Sequence, residues 1–164
     1  FKSQGHQAVC YGMGDGLDEV KKASSVEKNI VVSPAALECA RYLEKTFGTP
    51  YEVGYPLAEE LVPDMDYTGK KILIVQQQVM AGSIREELRK RGADGELTVA
   101  SWFHGKDLLE EGDVSLRDEE DYMELAEKGG YDVIFADPCM KRMTKAFSGV
   151  FVDTVHFAVS GKCR

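Results

Sequence analysis

The sequence predicts an α/β fold of three layers, in which helices cover both faces of a mainly parallel sheet. Between positions 69 and 160, short continuous apolar segments alternate with segments of helical periodicity. Continuous apolar runs are typical of strands buried on both faces, and alternation with helices is typical of parallel strands joined by right-handed crossovers. A chain of 164 residues with 43% hydrophobic residues is also large enough to bury such a core.

Four apolar runs are the predicted strands of this region. They span residues 72–75, 96–100, 131–136 and 150–152, and the last is expected to reach Ala158. Three helices are predicted between them: one that starts at a Ser83-x-x-Glu86 capping box, one over 118–128, and a short one after Asp137-Pro138. The glutamines at 76–78 are expected to form the loop before the first helix. A β-α-β-α-β-α-β order of this kind is Rossmann-like.

A smaller unit precedes this region. Residues 29–66 are predicted to form a β-α unit followed by a connector with at most one short helix. Asn29–Val32 is a β-branched run and hence a predicted strand. Ser33-Pro34 is a typical helix start, and Gly48 is a typical helix end.

Residues 1–28 are expected to be irregular, with a strand at 7–11 as the alternative. The glycines that follow do not make a dinucleotide-binding fingerprint, because Leu17 occupies the position of the third glycine. No internal repeat or low-complexity tract divides the chain. We therefore interpret residues 1–164 as one α/β domain, excised from a longer protein.

Composition limits the function classes. With 28 acidic and 20 basic residues and a net charge of −8, the chain does not suit a nucleic-acid surface, which needs clustered positive charge. No apolar run reaches the roughly 18 residues that span a bilayer, and the polar first residues do not resemble a signal peptide. None of the four cysteines forms a C-x-x-C pair, and Cys10 and Cys39 follow apolar patterns typical of the core. A cytoplasmic protein with reduced thiols, and with no nucleic-acid or membrane partner, is expected.

Ligand binding in such a sheet is expected outside the carboxyl ends of the strands, near a reversal of strand order. That rule selects the loops after Val75, Ala100 and Ala136, which carry amides, an imidazole, aromatic rings, a carboxyl group and a thiol. A serine in the turn after the first strand and a histidine near the last strand are added to these. The candidate ligand-binding residues are Ser33, Gln76, Gln77, Gln78, His104, Asp137, Cys139 and His156. No catalytic residue is assigned, and no metal ligand, because the spacing of a metal site is absent.

Several candidates have a structural alternative. Asp137 and Ser33 occupy helix N-cap positions, where a side-chain oxygen satisfies backbone amides. Cys139 lies at a predicted helix N-terminus, where a thiol is consistent with a ligand or redox role and also with a purely structural one. His104 is also consistent with a surface loop, and His156 is also consistent with a hydrogen-bonded core histidine.

Several stretches resemble the nitrogenase component 1 type oxidoreductases. Asn29-Ile-Val-Val-Ser-Pro34, followed by Ala40-Arg-Tyr-Leu-Glu-Lys-Thr-Phe-Gly-Thr-Pro-Tyr51, is similar to the strand, turn and helix that end in the family's fG-x-P signature. Gly69-Lys-Lys-Ile-Leu-Ile-Val75 resembles its G-K-[KR] strand, and Tyr131-Asp-Val-Ile134 resembles its pDliig strand. Val155-His156 falls where members of the family return with a polar or histidine-containing strand end. The resemblance covers most of residues 28–160.

The resemblance implies a Rossmann-like domain of an oxidoreductase built from three such domains. It also implies a second component 1 type subunit, an ATP-dependent iron-sulfur reductase that delivers electrons, and a small-molecule substrate, from dinitrogen to tetrapyrroles. Clusters in the family are held mainly by cysteines of an N-terminal domain, so no cofactor is expected in this domain and an iron-sulfur cluster only in the full-length parent. Nitrogenase proper carries a cofactor cysteine at the turn that is Val32-Ser33-Pro34 here, so no metal ligand carries over.

Three hypotheses of function follow. The first is a domain that contributes to the substrate or cofactor pocket and subunit interface of such a reductase system and is inactive alone. The second is a non-redox module of the same fold that binds a small ligand or a tetrapyrrole. The third is a scaffold that serves only as a subunit interface. A fold does not fix a function, so a further observation must separate the three hypotheses. Three or more suitably spaced cysteines in the parent's N-terminal half would favour the first.

Overall fold

The structure is a computed structural model that describes residues 7–9 and 16–156. The elements of the smaller unit and its flanks are α1 Leu17–Lys21, β1 Asn29–Val31, α2 Leu37–Phe47, β2 Tyr51–Val53 and α3 Ala58–Leu61. The elements that follow are β3 Ile72–Val75, α4 Gln78–Lys90, β4 Leu97–Ser101, β5 Val114–Ser115, α5 Glu119–Lys128, β6 Val133–Ala136 and β7 Val150–Asp153. Short 3₁₀ turns lie between several of them, including Pro34–Ala36 before α2 and Met140–Arg142 before β7.

The five later strands form one parallel sheet in the order β5-β4-β3-β6-β7. The chain begins in the middle with β3 and runs outward to β5. It then returns to β6 on the other side of β3 and runs outward again. This is the doubly wound strand order, in which the two halves diverge from a switch point between β3 and β6. The predicted three-layer, Rossmann-like α/β fold is confirmed.

The central strands are buried on both faces, as their continuous apolar sequences require. Ile72 and Ile74 of β3 pack into a core that includes α4, whereas Leu73 and Val75 pack into a second core that includes α5. Successive side chains of a strand point to opposite faces, so one short run supplies both cores. The loops at the carboxyl edge of the sheet are thereby held on a rigid base.

The smaller unit is a two-stranded parallel sheet of β1 and β2, covered by α2. It docks at the carboxyl edge of the main sheet. Gln77 Nε2 donates a 3.0 Å hydrogen bond to the carbonyl of Val32, and Arg41 forms a 2.7 Å salt bridge with Asp107. The turn between β1 and α2 therefore faces the loops that follow the strands of the main sheet.

The helix after β3 begins at Gln78, and the prediction that it begins at Ser83 is wrong. Gln77 is the N-cap residue, and its Oε1 accepts a 3.0 Å hydrogen bond from the amide of Met80. Ser83 lies inside α4 and accepts a 2.7 Å hydrogen bond from the amide of Tyr55. Glutamine is not among the residues that favour an N-cap, so the sequence pattern pointed to the serine instead.

Two further predictions need correction. Cys39 is exposed on α2, because Leu37 and Ala40 supply the buried stripe of that helix. The helix predicted after Asp137 is a single 3₁₀ turn, Met140–Arg142. The segment predicted as a connector also contains β2, and the segment between the predicted strand at 96–100 and the predicted helix at 118–128 contains β5. Both strands are too short to show a periodic pattern.

Some predicted features lie outside the described residues. Of the alternative strand at 7–11, residues 7–9 have no regular secondary structure, and Cys10 and Tyr11 are not described. β7 ends at Asp153, so the prediction that the last strand reaches His156 is wrong, and the predicted extension beyond His156 lies outside the described residues. Within the segment expected to be irregular, residues 17–21 form α1. Where the structure describes the chain, no helix has both the length and the apolar character to cross a membrane.

Candidate functional site

A cleft of about 1010 Å³ opens at the carboxyl edge of the sheet, beside the switch point. Small-molecule pockets typically measure roughly 300–1,000 Å³ and occupy this position in doubly wound sheets. The wall is mostly apolar, and the smaller unit closes one side of it through residues 33–35. The large apolar side chains of the wall are Pro34, Trp102, Phe103, Met140 and Met143.

The eight predicted ligand-binding residues all lie at or behind this cleft. Those that line it are Ser33, Gln77, His104, Cys139 and His156. Those that are buried behind it are Gln76, Gln78 and Asp137. Parallel strands end at one edge of a sheet, so residues far apart in sequence meet there. Ser33 precedes the 3₁₀ turn before α2, and its side chain makes no capping hydrogen bond.

The three glutamines after β3 tie the loops of the cleft together. Gln76 is fully buried, and its Nε2 donates a 2.6 Å hydrogen bond to the carbonyl of Thr154, just beyond β7. Gln77 caps α4 and reaches the smaller unit, as described above. Gln78 accepts a 2.7 Å hydrogen bond from the amide of Gly105 and donates a 3.1 Å bond to its carbonyl. The side chains of Gln76 and Gln78 support the cleft from behind, whereas Gln77 also lines it.

An aromatic loop, residues 102–105, forms one wall of the cleft. Ser101 Oγ donates a 2.9 Å hydrogen bond to the carbonyl of Phe103, and Gly105 is held by Gln78 at the other end. Between these anchors the Phe103 ring is 83% exposed at the rim. His104 Nδ1 is buried and has no hydrogen-bond partner among the described residues. A buried polar atom without a partner is unfavourable, so a group that reached this nitrogen would be stabilised there.

Asp137, at the end of β6, clamps two segments of the cleft. Its carboxylate is fully buried and accepts hydrogen bonds from two backbone amides. Oδ1 accepts from the amide of Cys139, and Oδ2 accepts from the amide of His156, both at 2.8 Å. The clamp fixes the backbone of the thiol-bearing turn against the segment after β7.

His156 is only 7% exposed and lies against Trp102. The two ring centroids are 6.4 Å apart and the planes are nearly perpendicular, at 86°. Burial lowers the pKa of the imidazole below its usual 6.5, and the nearby Asp137 carboxylate opposes that shift. The imidazole is therefore neutral near pH 7, and a neutral ring carries one nitrogen that can accept a hydrogen bond.

Sequence reasoning missed part of the cleft wall. Met140 and Met143 have the spacing of an apolar core face in the sequence, and in the structure they contribute both to the core and to the cleft. Asp118 and Glu119, at the start of α5, form an acidic rim. A helix that follows a parallel strand begins at the carboxyl edge of the sheet. The predicted start of the helix over 118–128 could therefore have placed these two acidic residues at the cleft.

The described residues do not fit an iron-sulfur cluster. Within residues 7–9 and 16–156, no three His, Cys, Asp or Glu side chains are grouped so that they could hold a metal ion. Cys139 is the one described cysteine that lines the cleft, since Cys39 lies on α2. Cys10 and Cys163 are outside the described residues. The mostly apolar wall with a few separate polar groups is instead typical of a site for an organic molecule.

The fold and the cleft define a Rossmann-like α/β domain with a small-molecule-sized cleft at its switch point. Among solved structures it is similar to a chain described as nitrogenase Cp1 at pH 6.5, with a TM-score of 0.60 and 13% sequence identity. The similarity covers 97% of this chain and 45% of the nitrogenase chain, so this chain spans less than half of that length. At this identity, what the two share is the fold, which is nitrogenase-like.

A second solved structure, glutamate racemase from Aquifex pyrophilus, has a TM-score of 0.36 and 22% identity. The similarity covers 81% of this chain and 56% of the racemase chain, and a TM-score this low supports no conclusion. No protein-family model matches the sequence, and no curated protein matches it.

Proposed function

We propose that this chain is a domain of a nitrogenase-like, component 1 type oxidoreductase, in which it contributes one wall of the substrate or cofactor pocket and part of a subunit interface. The observation that carries the proposal is the position of the cleft at the switch point of a fold similar to that of a nitrogenase chain. Because the chain spans 45% of that nitrogenase chain, other parts of the assembly complete the pocket. The chain is therefore inactive alone.

The cleft wall suits a planar organic ligand of the tetrapyrrole class. Trp102 offers an aromatic face or edge, and Met140 and Met143 offer polarizable side chains that adapt to a flat ring. Burial of apolar ligand surface contributes about 25 cal/mol per Å². His156 lines the cleft beside Trp102 and adds a polar group to the mostly apolar wall.

The proposal includes two partners in the cytoplasm, a second component 1 type subunit and an ATP-dependent iron-sulfur reductase. The smaller unit and the segment before it expose several large apolar side chains to solvent. These side chains support the proposal of a subunit interface on that side of the molecule. The most exposed of them are Leu17 at 78%, Tyr42 at 60% and Phe47 at 56%. Tyr42 and Phe47 also make an edge-to-face pair with centroids 6.3 Å apart, which gives the surface a fixed aromatic shape.

The binding step can be tested with the tryptophan of the cleft itself. Trp102 is the single tryptophan of the sequence, so its fluorescence reports on the site alone. The chain would be titrated with a water-soluble porphyrin that carries uncharged glycol side chains. Saturable quenching at a stoichiometry of one is expected. The absence of saturable quenching would overturn the proposed binding.

A matched pair of variants locates the binding. Phe103→Ala removes an exposed ring at the cleft rim, and Phe47→Ala removes an exposed ring at the far end of α2. Both changes leave the core intact, so both variants are expected to fold. Weaker porphyrin binding by Phe103→Ala alone supports the cleft as the site, whereas equal effects would contradict it.

The redox part of the proposal needs the full-length parent protein. Iron and acid-labile sulfide would be measured in the anaerobically purified parent, with the present chain as the control. Stoichiometric iron and sulfide in the parent support a reductase component whose clusters lie outside the described residues. An iron-free parent that still binds the porphyrin would favour the second candidate, a non-redox ligand-binding module, which the mostly apolar cleft wall equally supports.

A further inference from the structure

We infer that the smaller unit is a lid on the cleft, which swings about residues 54–57 and must move away from the aromatic loop before a ligand enters or leaves. The role of the lid rests on the proposed ligand binding, whereas its movement is measurable without a ligand. Three observations carry the inference. The smaller unit has a core of its own, a short link joins it to the rest of the fold, and an empty groove lies behind it.

The smaller unit packs as a separate body. Its buried residues, Val31, Leu37 and Ala40, form a core that is distinct from the two cores of the main sheet. Among the described residues outside the unit, Leu108, in the turn after the aromatic loop, packs against this core. Within the described chain, no helix or strand of the smaller unit packs extensively on the main sheet or on its helices. A displacement of the smaller unit therefore breaks few apolar contacts.

Polar contacts at the surface hold the smaller unit over the cleft. Arg41 of α2 pairs with Asp107 at 2.7 Å, and the two side chains are 40% and 58% exposed. Gln77 donates its 3.0 Å hydrogen bond to the carbonyl of Val32 at an exposed position. Exposed ion pairs and hydrogen bonds are replaced by contacts with water at little cost. The contacts that close the lid are thus of a kind that opens readily.

The link between the smaller unit and the rest of the fold is short. Gly54 still belongs to the smaller unit, because its amide donates a 3.1 Å hydrogen bond to the carbonyl of Val31. The helix α3, which begins at Ala58, already packs on α4. In the described chain, residues 54–57 therefore span the change from one body to the other. Hinges typically consist of a few such residues at the ends of elements.

A groove of about 640 Å³ lies between the smaller unit and α4. Ile30 and Glu52 line it, on the face of the two-stranded sheet opposite to the core under α2. The other side of the same unit borders the cleft through residues 33–35. The smaller unit thus stands between two empty volumes. When it swings away from the cleft, the groove receives it, and the 38% exposed Ile30 becomes covered by α4.

Gly82 keeps this groove open. It lies inside α4 and lines the groove, and a Cβ added to it would meet open space. A glycine inside a helix is unfavourable relative to alanine, so helix formation does not explain its presence there. Room for the swing of the smaller unit does explain it.

The test follows entry and exit of the uncharged glycol porphyrin by stopped-flow quenching of Trp102. Arg41→Ala releases the lid from Asp107, and Arg41 is not among the described residues that line the cleft. The association and dissociation rate constants are both expected to rise about threefold, so that their ratio is preserved. A fixed wall that lost a contact would instead change mainly the dissociation rate. Lys128→Ala breaks an exposed ion pair with Glu124 of α5 and should change neither rate.

A second pair of variants blocks the swing. Gly82→Phe places a ring in the groove and is expected to slow both rates by about fivefold or more, because opening the lid then overpacks the groove. Gly82→Ala is the matched control, since it removes the glycine from the helix without filling the groove. Both variants are expected to fold, because the added side chain points into open space. Thermal unfolding followed by circular dichroism would verify this.

The movement is also measurable without a ligand, at the amide of Tyr55 in the hinge. This amide donates a 2.7 Å hydrogen bond to Ser83 Oγ of α4, and the swing separates the two. Hydrogen exchange of this amide, followed by NMR, is expected to be faster in Arg41→Ala than in the unaltered chain. It is expected to be slower in Gly82→Phe than in Gly82→Ala.

The outcomes separate the lid from the proposed binding. If the porphyrin fails to bind, the ligand-binding proposal fails, and the exchange of the Tyr55 amide alone decides whether the smaller unit moves. If the porphyrin binds but Arg41→Ala changes only its dissociation, the smaller unit is a fixed wall and the inference is wrong. Equal rates in Gly82→Phe and Gly82→Ala, or an unchanged exchange of the Tyr55 amide in all variants, would also overturn it.

Discussion

The carboxylate of Asp137 joins the end of β6 to His156, three residues beyond β7, through a 2.8 Å hydrogen bond from the histidine amide. The other oxygen of the same carboxylate holds the amide of Cys139. A single buried charge therefore positions two segments of the cleft wall. This makes Asp137 a positioning residue, since it lies behind the wall and does not line it.

Replacement of Asp137 by alanine is expected to lower the free energy of unfolding by about 2–4 kcal/mol, because the buried amide of His156 and the partly buried amide of Cys139 lose their acceptor. Porphyrin binding should weaken as well, because the turn at Cys139 and the segment at His156 lose their anchor. Asp132→Ala is the matched control. Its carboxylate accepts from the amide of Lys71 at the opposite edge of the sheet, and the residue is exposed. Urea unfolding and Trp102 quenching check both effects, and an equal loss of binding in the two variants would contradict the positioning role.

The pH dependence of stability should carry a contribution from His156. Its folded-state pKa is lowered by burial, so between that value and 6.5 the unfolded chain binds more protons than the folded chain. The free energy of unfolding is thus expected to fall as pH drops below about 6.5, and to recover fully above it. His156→Gln should flatten this part of the profile. Denaturant titrations at several pH values measure the difference, and an unchanged slope in His156→Gln would refute the assignment.

Gln77 should prove to have two separable roles. Its Oε1 caps α4 and its Nε2 bonds Val32 of the smaller unit. Gln77→Ala removes both interactions and is expected to cost about 1–2 kcal/mol. Gln77→Glu keeps the cap and places a negative charge near the helix N-terminus, but loses the donor, so it should retain most of the global stability. Amide hydrogen exchange would show which part loosens: protection lost in β1 and α2 alone is the expected result for Gln77→Glu.

The buried ion pair of Arg85 and Asp113 is expected to be the most sensitive charge in the fold. The two side chains are only 4% and 2% exposed, and they connect α4 to the residue before β5. Asp113→Ala leaves the buried guanidinium with the half-exposed Glu110, at 2.8 Å, as its remaining carboxylate partner among the described residues, and should cost about 3 kcal/mol. Glu86→Ala removes the solvent-exposed partner of Arg89 on the same helix and should cost about 1 kcal/mol or less. The free energy of unfolding of both variants would be measured by urea unfolding. Similar losses in the two variants would contradict the prediction that the buried pair contributes more to stability than the exposed pair.

Much of the main sheet could be predicted from sequence because its strands are apolar on both faces. The runs at Ile72–Val75 and Val133–Ala136 have no polar interruption, so they were assigned with nearly the observed bounds. The switch-point rule then brought the predicted site residues to one edge of the sheet. The rule did not distinguish the side chains that line the cleft, such as His104, from the side chains that are buried behind it, such as Gln76.

The predicted and observed elements differ where contacts between distant parts of the chain, and not the local sequence pattern, determine the structure. β5 has two residues and is held by Asp113 and the neighbouring strand, and such contacts leave no periodic signal in the sequence. The start of α4 was misplaced because a glutamine side chain acts as the cap. Cys39 was misassigned because a cysteine next to a buried stripe differs from one within it by only one position, about 100° of helical rotation.

The order of the strands also has a consequence for how the molecule is made. Leu73 of β3 pairs with Ile134 of β6, so the central contact of the sheet joins residues distant in the chain. Contacts of this kind form slowly, because a long loop must close first. During synthesis the first half-sheet, β3 to β5, can assemble while the other wall of the cleft is still untranslated. The clamp between Asp137 and His156 can close only after β6 and β7 have emerged, so the cleft is the last part of the described fold to be completed.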